Sequence, residues 1–155
     1  MFEWLEGTKV SMWVGESLWG YPIMLGLHAV GLAIVVGIFV MRDLRLIGFF
    51  EGISYESLDS LRKLAWTGFV INATSGCFLF TSQATTFASS TPFLLKISMI
   101  FLAAICAAVI QNKMRDEASQ WDGSGAASGL VRTIAMVSIA LWTGAIIAGR
   151  LTAYF

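Results

Sequence analysis

From Ser17 to Met41 the chain runs 25 residues without a formal charge, and His28 is the one titratable group among them. A helix needs ~20 mostly apolar residues to cross a hydrocarbon core of about 30 Å, so this run is long enough to span a bilayer. Composition agrees with that environment. Of the 155 residues 57% are hydrophobic and 13% charged, and the mean hydropathy is +0.75, where a soluble domain carries about 25% charge. Ten basic and ten acidic residues cancel, which leaves no basic field for nucleic acid. Two cysteines in no metal-ligand spacing argue against a disulfide scaffold and a cysteine metal site. The length allows one domain.

Three further apolar runs follow. The predicted fold is therefore all-α, an integral membrane four-helix bundle forming a single transmembrane domain over residues 1–155, with helices over about 17–41, 64–80, 92–111 and 131–151. The second run ends where residues 81–91 turn rich in Ser and Thr, and Pro92 suits the first turn of the third helix. Residues 1–16, with Trp4 and Trp13 among Glu3, Glu6, Lys9 and Glu16, read as a collar at the membrane interface, either a helix or a partly irregular segment. No basic segment precedes the first run, so that helix itself is expected to act as the targeting signal. The Gly- and Ser-rich stretch over 120–129 marks a flexible connection.

Basic residues near the membrane favour the cytoplasmic side. The first and third loops hold Arg42, Arg45, Arg62, Lys63, Lys113, Arg115 and Arg132, against Lys9, Lys96 and Arg150 on the other side. Both termini are thus predicted outside, periplasmic in the inner (plasma) membrane of a bacterium. Small residues four apart, Ala33 with Gly37, Ala103 with Ala107, Ala104 with Ala108, Gly144 with Ala148 and Ala145 with Gly149, let helices approach closely, inside one bundle or between copies.

Function in such a chain is sought among polar groups that hydrocarbon penalises. His28, Lys96 and Arg150 lie 14, 17 and 18 residues from the inner basic boundaries Arg42, Lys113 and Arg132, roughly 21, 26 and 27 Å at 1.5 Å per residue, all in the outer half. His28 either binds haem iron or hydrogen-bonds to a neighbouring helix. Lys96 either snorkels its ammonium to the headgroups or, as a neutral amine, offers a lone pair. Arg150 clamps a carboxylate such as a haem propionate, or anchors its helix. No acidic residue falls within these four spans, so the carboxylate relay of a proton pump is not expected. Asn72, deep in the second helix, is expected to bond across helices, and Cys77 and Cys106 to pack as apolar residues.

Three segments carry a resemblance to a family. LHAVGLAIVVGIFVMRDLRLIG resembles the first helix, with its outer histidine and an inner Arg-Leu element at Arg45 and Leu46, of small four-helix bacterial membrane proteins related to the HemJ-type protoporphyrinogen oxidases and the copper-resistance protein D family. LRKLAWTGFVINATSGCFLF is similar to their second helix, which opens on basic residues, and PFLLKISMIFLAA to their third, with a lysine near its start. The resemblance implies a haem b at His28 and Lys96 as metal ligands. The leading expectation is then a haem-binding redox protein, possible as a membrane oxidoreductase, with Arg150 near the propionates and a quinone or porphyrin as partner. The alternative is a non-catalytic accessory subunit of a larger membrane complex or a homo-oligomer. Copper handling is a third.

Overall fold

The computed structural model describes residues 2–124 and 127–152. Among them only helices form: α1 (Glu3–Glu6), α2 (Lys9–Glu16), α3 (Gly20–Ile47), α4 (Tyr55–Ser60), α5 (Arg62–Ser82), α6 (Ala84–Ser89), α7 (Thr91–Ser124) and α8 (Gly129–Leu151). Four long stretches, α3, α4 with α5, most of α7, and α8, are long and apolar enough to cross a membrane. The all-α four-helix bundle is as expected.

The helix ends differ from the expected bounds in an instructive way. Helix α3 begins at Gly20 and continues past Met41 to Ile47, about 42 Å at 1.5 Å per residue. Two opposite charges, Arg42 and Asp43, pair at 2.6 Å and travel into the helix together, 3% and 0% exposed. A span counted by formal charge stops at that pair, whereas the folded helix stops at Gly48. There φ is +114°, Gly48 N–H donates to Arg45 O, and Phe49 N–H donates to Leu44 O at 3.0 Å, the paired bonds of a Schellman ending. The expectation of no acidic residue in a span is therefore corrected at Asp43. Helix α7 likewise runs past Gln111 to Ser124, because Trp121 is buried in a cluster with Tyr55, Leu58, Met114 and Val131. The expected flexible connection is helical over its first residues, and 125–126 lie outside the described residues. Pro92 is the second residue of α7, as its missing N–H requires.

In space α3 packs on α5 and α8, and α8 packs on α7. The α3/α5 seam is the closest. A methyl on Gly31 would lie 2.6 Å from the Asn72 amide nitrogen and 2.8 Å from the Gly68 carbonyl oxygen. Ala103 and Ala107, fully buried, join Val35, Phe39 and Trp142 in the central core. The Ala33 and Gly37 pair faces outward instead, with nothing near Gly37, and Cys77 is exposed while Cys106 is half-buried.

The two ends of the bundle are closed differently. At one end α2 lies over α5, with Ser11 Oγ donating to Thr81 O at 2.8 Å and Val14 fully buried. Beside it Phe80, Phe87 and Phe93 stack with centroids 5.3–6.4 Å apart, so the Ser- and Thr-rich stretch is held by its aromatics. The collar at 1–16 is thus mostly helical, and Trp4, Trp13 and Trp19 remain exposed on it and just after it. At the other end Arg45 clamps the turn before α4. Its Nε donates to Ile53 O at 2.7 Å, its Nη1 to Tyr55 Oη at 3.1 Å, and its guanidinium sits 4.2 Å from the Tyr55 ring centroid.

Candidate functional site: the His28 seam

Close approach of α3 and α5 at Gly31 brings the backbone and side chain of Asn72 against the preceding turn of α3. Asn72 Nδ2 donates to the His28 carbonyl at 2.8 Å, and His28 Nδ1 lies 2.9 Å from the Asn72 carbonyl oxygen. Asn72 Nδ2, a donor, also lies 3.2 Å from Nδ1, but the carbonyl, which only accepts, approaches closer at 2.9 Å and so favours the tautomer with the proton on Nδ1 and the lone pair on Nε2. Ser75 Oγ donates to Ile71 O at 2.6 Å and stands 3.4 Å from Nδ1, bordering the same edge of the ring. Gly76 supplies clearance: a methyl there would lie 3.0 Å from His28 Cε1. His28 is half-buried, and Nε2 forms no hydrogen bond among the described residues.

Lys96 reaches the same end of the bundle from α7. Its chain crosses to α8, where a methyl on Gly149 would meet Cδ at 3.2 Å and Nζ at 3.4 Å. Nζ makes no hydrogen bond or ion pair among the described residues. Arg150 follows Gly149 on α8, exposed and without a hydrogen bond or ion pair among the described residues. Asn72 makes the expected bond between helices, and its partner is His28 itself.

No family model, curated protein or solved structure matches this chain. The chemistry of the seam therefore has to be read from its own atoms. Among the described residues no three of His, Cys, Asp and Glu converge as ligands for a metal ion. A single imidazole with a free Nε2 does not make a cage for a bare ion; it suits a metal whose other positions are filled by a macrocycle. A hollow of about 270 Å³ shares Ser75 with the seam and is otherwise lined by Met24, Leu27, Val70, Ile71, Thr74 and Phe78. His28 is not among the residues that line it, and the hollow is smaller than the roughly 300 to 1,000 Å³ of closed small-molecule sites, so it is not by itself a cavity for a macrocycle.

The sequence reading missed Asp43 and Ser138, both 0% exposed, and placed Arg42 in a loop where the structure buries it. The available signal was the adjacency of Arg42 and Asp43, which cancels their charge locally.

Proposed function

We propose that this chain is a haem b-binding redox protein of a bacterial inner membrane, with both termini outside and His28 Nε2 as axial ligand to the iron. The observation that carries the reading is the bond from His28 Nδ1–H to the Asn72 carbonyl. It favours the tautomer with the proton on Nδ1, orients the ring and would raise the basicity of Nε2, as the hydrogen bond behind a metal-bound histidine does. Bound there, the haem would supply one-electron chemistry. The chain's own contribution is positional: Asn72 and Ser75 hold the imidazole, and Gly76 leaves its edge clear. Lys96 stands as a second ligand or as a neighbouring polar group, and Arg150 is the partner for a propionate. The exchange partner is lipid-soluble, a quinone or a porphyrin.

The test is a visible absorption spectrum of detergent-purified protein expressed with ample haem. We expect a haem band in wild type, its loss in His28→Ala, and a shifted band in Lys96→Met and in Gly76→Ala, whose methyl crowds the ring. Protein that elutes as a folded species yet shows no band overturns the reading.

A second reading, self-association, is favoured by one observation. Gly26, Ala33 and Gly37 are all exposed on α3, with nothing within 4 Å of either glycine position, so this small-residue face is not used within the bundle.

A further inference from the structure

The basic residues at the α4 end of the bundle divide into two kinds. Arg42 pairs with Asp43, Arg45 donates to Ile53 O and Tyr55 Oη, and Lys113 pairs with Glu117 at 3.1 Å. Arg132 Nη2 donates to Ile47 O at 2.9 Å, and Arg115 lies 3.9 Å from Asp116. Arg62 and Lys63, adjacent at the start of α5, make no side-chain hydrogen bond or ion pair among the described residues. Asp59, four residues before Lys63, instead accepts from Gln111 Nε2 of α7. Two neighbouring cations, one half-buried and one exposed, are thus left without a counter-charge from the protein where α5 enters its apolar run.

The same two side chains line an open groove of about 550 Å³, completed by Trp66, Thr67 and Val70. Trp66 is held by edge contacts to Phe39 and Phe69, with centroids 5.8 and 5.5 Å away. Thr67 Oγ1 spends its proton on Lys63 O at 2.8 Å. Val70, 59% exposed, also lines the hollow that contains Met24, Leu27 and Phe78, so the apolar surface continues along α5 beyond the groove. Arg62 and Val70 are eight residues apart, about 12 Å of helix, close to the roughly 15 Å that one leaflet contributes to a hydrocarbon core.

A ligand that matches this groove carries an anion at one end and an apolar chain of about a leaflet's depth behind it. Free phosphate answers the cations and makes no use of Trp66 or Val70. A zwitterionic headgroup brings an ammonium of its own against two cations. We propose that the groove binds one anionic phospholipid of the leaflet at the α4 end, its phosphate held by Arg62 and Lys63 and an acyl chain laid along Trp66 and Val70. The guanidinium supplies paired donors to phosphate oxygens and the ammonium a point charge, and basic side chains beside a membrane attract anionic lipids in this way. The site depends neither on the haem reading nor on which end of the bundle faces the cytoplasm.

The experiment is native mass spectrometry of the full chain in detergent, mixed with equal amounts of phosphatidylglycerol and phosphatidylcholine bearing the same acyl chains. We expect wild type to retain one phosphatidylglycerol in severalfold excess over phosphatidylcholine. Arg62→Gln with Lys63→Gln should abolish that preference, whereas Lys113→Gln with Arg115→Gln, which removes the same charge elsewhere at this end, should keep it. Val70→Trp fills the groove, leaves both cations and should reduce retention severalfold. Equal retention of the two lipids by wild type overturns the proposal, as does an equal loss in the two double variants, which would mark a general effect of charge. Unchanged retention in Val70→Trp, or displacement of the lipid by excess inorganic phosphate, overturns it in favour of a bare anion site. Should the Arg62 and Lys63 double variant not accumulate, Lys63→Gln alone decides: a weakened preference supports the site, and an unchanged one overturns it.

Discussion

Asp43 shows what a charged residue needs in order to stay in an apolar helix. Removed from water, a carboxylate and a guanidinium are each expensive, and only mutual contact with further hydrogen bonds offsets that cost. Here Arg42 folds back along its own helix to reach the next residue, and Nη1 donates to the Ala107 carbonyl of α7. Removing either partner alone strands the other. We therefore expect Asp43→Ala and Arg42→Ala each to cost about 3–5 kcal/mol, and the double change Arg42→Met with Asp43→Leu to cost much less than their sum. Unfolding of the purified variants by graded SDS in mixed micelles measures this; additive single effects would mean that the pair does not act as a unit. At this scale the sequence was legible in part. His28 and Asn72 each stood out as polar groups at depth, but their mutual bond comes from the meeting of α3 and α5, which no local pattern encodes. Asp43 was hidden because formal charge, counted residue by residue, ended the span before it.

Between helices, the decisive feature is how near α3 comes to α5. Gly31 and Gly37 are the same residue type in the same helix, and the structure gives them opposite roles. A methyl at 31 meets backbone atoms of α5 at under 3 Å, which cannot turn aside, whereas a methyl at 37 meets nothing within 4 Å. Gly31→Ala should thus destabilise the bundle by about 1–3 kcal/mol through overpacking, and on the proposed haem reading it should also shift the absorption band, because Asn72 moves with the seam. Gly37→Ala should leave the fold intact or improve it slightly, since alanine is the better helix former. Equal behaviour of the two in unfolding by SDS would contradict the seam. The number of long helices was readable from hydropathy, and so was the start of α7 from Pro92. The reach of α7 to Ser124 was not, because that segment is polar on average and is held as helix by the buried side chains Met114 and Trp121, the latter against Tyr55 of α4.

For the whole molecule the open quantity is direction in the membrane, and the buried arginines change the count on which it rests. Arg42 and Arg45 are engaged inside the protein, so they do not face headgroups as loop residues do. Arg62, Lys63, Lys113, Arg115 and Arg132 remain at the α4 end, against Lys9, Lys96 and Arg150 at the other, and Lys96 is itself half-buried. The bias still favours the α4 end as cytoplasmic. It now rests on α5, α7 and the start of α8 rather than on the inner end of α3, so it should fail first when charge is removed there. A reporter enzyme active only outside the cytoplasm should work when fused after the last residue, 155, and should not when inserted between α7 and α8. Neutralising Arg62, Lys63, Lys113 and Arg115 together should produce a mixed or reversed pattern, while Arg45→Gln alone should not reverse it. A reporter active between α7 and α8 in the unaltered chain would invert the molecule and place the His28 seam on the cytoplasmic side.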